Sequence, residues 1–197
     1  MTIEEIRTGF PHIQQGKIYL NHASIGPLST NVVEQIQSFV EERSYGKVNA
    51  FGKFLAHSNS LKTKLAKMFN CNSEEIARSD NVSNGLNILA QSLDWKAGDR
   101  IILFNKEFPS NIYPFLNLKS RGVEIDFIEP EDGTISIEKT KQRITPRTGL
   151  LSISFVQFLS GFRADLKSIG KLCKENEIIF AVDSIQGAVF LISTCGK

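Results

Sequence analysis

Ile178-Ile-Phe-Ala-Val-Asp183-Ser-Ile-Gln186 is the stretch on which the reading of this chain turns. A continuous run of β-branched and aromatic residues predicts a strand buried on both faces. Asp183, at the carboxyl end of that strand, stands where open α/β sheets bind their ligands. A carboxylate at such a depth needs a partner, because burying it unpaired is costly. A protonated ring nitrogen of a bound cofactor is one partner that fits. An Asp that caps the following helix or turn is the alternative.

Outward from this stretch, strand-like and helix-like segments alternate. Residues 100–104, 123–128, 149–154 and 178–182 read as strands, and residues 111–120, 136–143 and 165–175 as helices. Asp165 precedes Leu166, Ile169, Leu172 and Cys173, an N-cap followed by an apolar stripe at helical spacing. Repeated strand–helix–strand units predict an α/β fold with a mostly parallel sheet and helices on both of its faces. Residues 84–93 predict a further helix with Leu86, Ile88, Leu89 and Leu93 on its apolar side, closed by Trp95-Lys-Ala-Gly98-Asp99 as a turn.

The first 70 residues have a different character. Residues 31–42 and 54–69 read as amphipathic helices, with Val33, Ile36 and Val40 on one and Leu61, Leu65 and Met68 on the other. The expected layout is an N-terminal arm with helices over residues 1–70, leading into an α/β domain over residues 71–197.

Composition narrows the class. The chain has 197 residues, 41% hydrophobic and 22% charged, which is ordinary for a globular protein and argues against disorder. A net charge of +2 gives no electrostatic case for nucleic acid or a membrane surface. Met1-Thr-Ile-Glu-Glu5 lacks the basic and apolar regions of a signal peptide. No apolar run approaches the roughly 20 residues of a membrane span. Cys71, Cys173 and Cys195 are odd in number and widely spaced, which excludes a metal motif and suits a reducing cytoplasm.

Separated segments resemble the class V aminotransferases, the fold-type-I pyridoxal phosphate (PLP) enzymes that include cysteine desulfurases, kynureninase and isopenicillin-N-epimerase-like proteins. Tyr19-Leu-Asn-His-Ala-Ser-Ile-Gly-Pro-Leu-Ser29 resembles their N-terminal motif, and Asp80-Asn-Val-Ser-Asn-Gly-Leu-Asn87 their phosphate-binding turn. Glu107-Phe-Pro-Ser-Asn-Ile-Tyr-Pro-Phe115 resembles the segment with their ring-stacking residue. Val156-Gln-Phe-Leu-Ser-Gly-Phe-Arg163 and Ala181-Val-Asp-Ser-Ile-Gln186 resemble the two remaining cofactor segments. The resemblance implies the large domain of a PLP-dependent transferase in part, preceded by N-terminal helices, with a small amino-acid substrate and a homodimeric full-length enzyme.

The resemblance assigns roles residue by residue. Asp183 would hold the pyridinium. Ser83 and Asn84 would cradle the phosphate with the N–H groups of a helix N-terminus, although an ordinary Ser or Asn N-cap explains them as well. The family usually carries Thr followed by Glu or His there. Phe108 would stack on the ring, or else pack as a core Phe. Desulfurases usually have His at that position, and an aromatic points to kynureninase-like or epimerase-like members. Gln157 and Gln186 would donate to the phenolic oxygen. His22, with Ala23 beside it, would approach the substrate, though a lone His in a turn is more often structural. Arg163 is expected to be structural, paired with Asp165 or a loop carbonyl.

One departure bears on activity. The family's Schiff-base Lys lies further beyond its Asp than Lys197 lies beyond Asp183, and Lys197 has no matching context. A solvated terminal Lys keeps its proton at neutral pH. The chain therefore resembles the front part of a larger enzyme, with no catalytic Lys or Cys of its own and with weak or absent PLP binding. The alternative is a non-catalytic fragment or pseudoenzyme that serves as a binding module. A nucleotide-binding domain is disfavoured, since no Gly-rich phosphate motif follows any strand.

Overall fold

The computed structural model describes residues 2–47 and 51–188. The chain forms two compact units, Met1–Lys67 with Asn72–Glu74 and Met68–Cys71 with Glu75–Lys197.

The first unit is helical. Helix α1 (Ile3–Thr8) starts with a capping box, in which the Glu5 N–H donates to Thr2 Oγ1 at 3.2 Å and the Thr2 N–H to Glu5 Oε2 at 2.7 Å. Helix α2 (Pro11–Gln14) has Pro at its first position, where the missing N–H costs nothing. Neither helix is expected from periodicity, because each is too short to show one. Helices α3 (Thr30–Ser44) and α4 (Phe51–Phe69) occupy the two amphipathic segments. No residue of α3 is buried, and on α4 only Ser58 and Ala66 are.

The second unit is built on β1 (Arg100–Phe104), β2 (Glu124–Ile128), β3 (Thr148–Ser154) and β4 (Ile179–Asp183). All pair in parallel, in the order β2-β1-β3-β4. Helices α5 (Val82–Ser92) and α6 (Tyr113–Leu116) lie against one face and α7 (Ile137–Arg143) and α8 (Leu166–Glu175) against the other. The two-residue repeat of β1 sorts its side chains between them. Ile101 and Leu103 join the α5 core with Leu86, Ala90, Phe115 and Leu150, whereas Ile102 and Phe104 join Ile169 and Cys173 of α8. Asp165 caps α8 by accepting from the Ser168 N–H at 3.1 Å.

Two expectations are corrected. Residues 111–120 do not form one helix but a 3₁₀ turn (Pro109–Asn111), the single turn of α6 and a second 3₁₀ stretch (Asn117–Arg121). Pro114 lacks the N–H that a continuous helix needs, and Gly122 ends the segment at φ 80°. Strand β4 is not buried on both faces. Among the described residues it pairs with β3 alone, and Ile179 is 42% exposed. Its apolar run resembles that of a central strand because periodicity reports hydrophobicity and not the number of neighbours.

Candidate functional site

The register of the sheet assembles a polar corner at its carboxyl edge. Leu150 lies on the α5 face, so the two-residue repeat places Ser152 and Ser154 of β3 on that face too. Ser152 pairs with Ala181 and Ser154 with Asp183. Ala181 belongs to the α5 core, so Asp183, two residues on, shares its face. Ser154 and Asp183, the last residues of their strands, thus stand side by side in neighbouring strands, both buried.

The loop after β1 brings Glu107 to this corner. Glu107 is 3% exposed and accepts four hydrogen bonds. Its Oε1 takes the Ser154 N–H at 2.9 Å and Gln157 Nε2 at 2.5 Å. Its Oε2 takes the Ser154 hydroxyl and Asn111 Nδ2, the latter at 3.3 Å. Asn111 Oδ1 in turn accepts from the Ser152 hydroxyl at 2.6 Å. A carboxylate offers about four acceptor positions, and all four are filled by neutral donors. Glu107 is the residue that sequence reasoning missed. An acidic residue beside Lys106 in a loop reads as solvated, and its partners come from β3 and the loop that follows.

Asp183 is 6% exposed. Its Oδ1 accepts from the Ile185 N–H at 3.0 Å, so the capping alternative accounts for one oxygen. Oδ2 has no hydrogen-bond partner among the described residues. The turn after Asp183 is held close to β3. The Phe155 N–H donates to the Asp183 carbonyl at 2.8 Å, and a Cβ on Gly187 would lie 2.5 Å from the Phe155 ring, which only Gly permits. Gln186 is half-buried in this turn. The Arg163 guanidinium lies over the other part of this packing, 5.7 Å from the centre of the Phe155 ring, while Asp165 is engaged with Ser168.

Helix α5 starts two residues earlier than its apolar pattern indicates, and its cap is Asn81, which accepts from the Asn84 N–H at 2.8 Å. Ser83 is therefore the second helical residue and is exposed. The N–H groups of Val82 and Ser83 have no partner among the described residues, whereas that of Gly85 donates to the Asn81 carbonyl. The Asn84 side chain donates to both oxygens of Asp80, at 2.8 and 2.9 Å. This hydrogen bond, with those from Ser79 and the Asn81 N–H, holds the Asp80 carboxyl below its ordinary pKa. Ser79, Asp80, Asn84 and Asn87 border an open cavity of about 460 Å³. Phe108 is 49% exposed and meets the Phe158 ring edge to face, with centroids 5.3 Å apart. Ser83, Asn84, Phe108, Gln157, Asp183 and Gln186 all belong to the second unit.

His22 and Ala23 belong to the first unit and are exposed. Tyr19 meets His22 edge to face at 5.1 Å, and its hydroxyl donates to the Ile25 carbonyl at 2.7 Å, which folds the N-terminal motif into a turn.

Among the described residues no group of three or more His, Cys, Asp or Glu side chains could hold a metal ion, and no helix is long and apolar enough to cross a membrane. Burial pushes the Cys173 thiol up to about 11. Cys195 and Lys197 lie outside the described residues.

Known proteins resemble this chain in sequence and fold. A probable cysteine desulfurase of Methanothermobacter thermautotrophicus is 26% identical over 191 residues, which cover 94% of this chain and 48% of that protein. The crystal structure of the cysteine desulfurase CsdA from Escherichia coli superposes with a TM-score of 0.84 at 21% identity, over 98% of this chain and 51% of that one, a likeness of fold. A mutant of C-DES, whose structure carries glycine covalently linked to the PLP cofactor, gives a TM-score of 0.83 at 25% identity, over 95% of this chain and 51% of its own. The chain thus spans about half the length of these relatives. The family profile described as aminotransferase class-V matches residues 18–191, and the chain accordingly belongs to the class-V aminotransferase family.

Proposed function

We propose that this chain supplies the cofactor-binding half of a PLP-dependent enzyme acting on an amino acid. The observation that carries the reading is Asp183, a buried carboxylate at the carboxyl edge of the sheet with one oxygen still open. Such a group fits a cationic ring nitrogen, because the pair relieves the cost of burying the charge. The unfilled N–H groups of Val82 and Ser83 fit a phosphate at a helix N-terminus. PLP, when bound, supplies an electron sink for bonds at the substrate's α-carbon.

The chain's own residues then have distinct tasks. Asp183 keeps the ring nitrogen protonated. Ser83 adds a hydroxyl to the backbone donors around the phosphate. Phe108 offers a ring face and, unlike a His, can neither take nor give a proton. Gln157 and Gln186 donate toward the phenolic oxygen. The relatives are named as cysteine desulfurases, so cysteine is the amino acid to test first.

A second reading, a binding module without turnover, is favoured by the start of α5. There Asn84 is engaged by Asp80, which places a negative charge beside the position proposed for the phosphate. Titration of the chain with PLP, followed by absorbance, tests the first reading. Saturable binding abolished by excess inorganic phosphate is expected. Absorbance that stays that of free PLP at all protein concentrations would overturn it in favour of the second.

A further inference from the structure

We infer that Glu107 is a positioning residue, an acceptor-only carboxylate that fixes which end of the Gln157 amide faces the carboxyl edge of the sheet; its bearing on cofactor binding rests on the function proposed above. An amide side chain can turn over, exchanging its oxygen for its nitrogen at little cost in shape. At Gln157 that freedom is removed chemically. Glu107 Oε1, which already accepts the Ser154 N–H, lies 2.5 Å from Nε2, and an accepting oxygen requires the amide nitrogen to face it. Gln157 is left with its second N–H and its Oε1, held at a set place and angle.

Glu107 is itself immobilised. The Ser154 N–H anchors Oε1 to the last residue of β3, and the Ser154 hydroxyl and Asn111 Nδ2 anchor Oε2. The same logic sets Asn111, whose nitrogen faces Glu107 and whose oxygen therefore faces the Ser152 hydroxyl. The polarity of the whole corner runs one way, from Ser152 through Asn111 to Glu107 and from Gln157 to Glu107. A Gln at position 107 would keep the shape and break that direction, since its own NH₂ would point at donors. Both Gln157 and Asn111 would then be free to turn over.

Two measurements on the 197-residue chain test this. Side-chain amide NMR of the unliganded wild type should place the Gln157 NH₂ resonances away from their positions in an unfolded chain and show slow exchange with water, and Glu107→Gln should move them toward those positions and speed the exchange. Gln157 NH₂ resonances at unfolded-chain positions and in rapid exchange with water in the wild type would overturn the proposal without any variant having to fold. PLP titration of Glu107→Gln, Gln157→Ala and the double variant supplies the second arm. Each single change should weaken binding about tenfold, the scale of one hydrogen bond to a charged group. The double variant should bind within about twofold of Gln157→Ala, because Glu107 acts through Gln157. Losses that multiply would mean that Glu107 acts by another route and would overturn the proposal. If the wild type fails to bind PLP while the Gln157 resonances behave as expected, the positioning stands and the cofactor reading falls.

Discussion

Asp183 and Cys173 are both buried, and their surroundings give them opposite prospects. Asp183 retains an open oxygen at the sheet edge. Asp183→Asn should weaken PLP binding by about 2 kcal/mol or more, because it replaces a buried charged partner with a neutral one. Equal affinities in parallel absorbance titrations would reduce Asp183 to a cap for Ile185. Cys173, 1% exposed and packed with Ile169 in the α8 core, keeps its proton up to about 11, against an ordinary value of 9.0. The unfolded chain loses that proton first, so between those two values it binds fewer protons than the folded one, and stability should fall as pH rises through the interval. Urea melts from pH 9 upward should show this slope, and Cys173→Ala should flatten it. At this scale the sequence disclosed Asp183 but not Glu107. A strand's last residue is placed by the strand itself, whereas burial of a loop carboxylate depends on Ser154 and Gln157, which no local pattern connects to it.

The elements follow their local chemistry wherever one signal dominates. Asp165 marks the start of α8 and Ser136 that of α7, each accepting a hydrogen bond from the N–H three residues on. At α5 the competing candidates Asn81, Ser83 and Asn84 lie close together, and the backbone selects Asn81, whose φ of −159° and ψ of 168° are those of a cap. Asn81→Ala should destabilise the second unit by about 1 kcal/mol, the usual cost of losing an N-cap side chain. Ser83→Ala should leave stability almost unchanged, as its hydroxyl caps nothing. Thermal unfolding of the two variants distinguishes the assignments, and a larger loss for Ser83→Ala would reverse them. Residues 111–120 depart from the expected single helix for the opposite reason. Their apolar spacing suits a helix, but Pro114 and the side-chain bonds of Asn111 favour short separate turns.

On the scale of the whole molecule, apolar surface remains uncovered. In the first unit Val32, Ile36, Phe39 and Val40 of α3 are 44–59% exposed. In the second, β4 presents its outer edge among the described residues. Exposed apolar helices and unpaired strand edges both favour association. The isolated 197-residue chain should therefore self-associate, with an apparent mass in sedimentation experiments that rises with protein concentration. A single monomeric species across a hundredfold concentration range would contradict this.

The class of the fold and the family are legible in the order of the residues, because alternating strand and helix signals and the short motifs at strand ends are local and keep their order along the chain. Asp183 is legible for the same reason. Tertiary structure alone decided that β4 pairs with β3 alone among the described residues and that Glu107 is buried beneath Gln157. Each of those outcomes depends on which segments meet across the sheet. Glu107 and Ser154 are far apart in sequence, and only the parallel register of β1 and β3 brings their donors and acceptors to one edge.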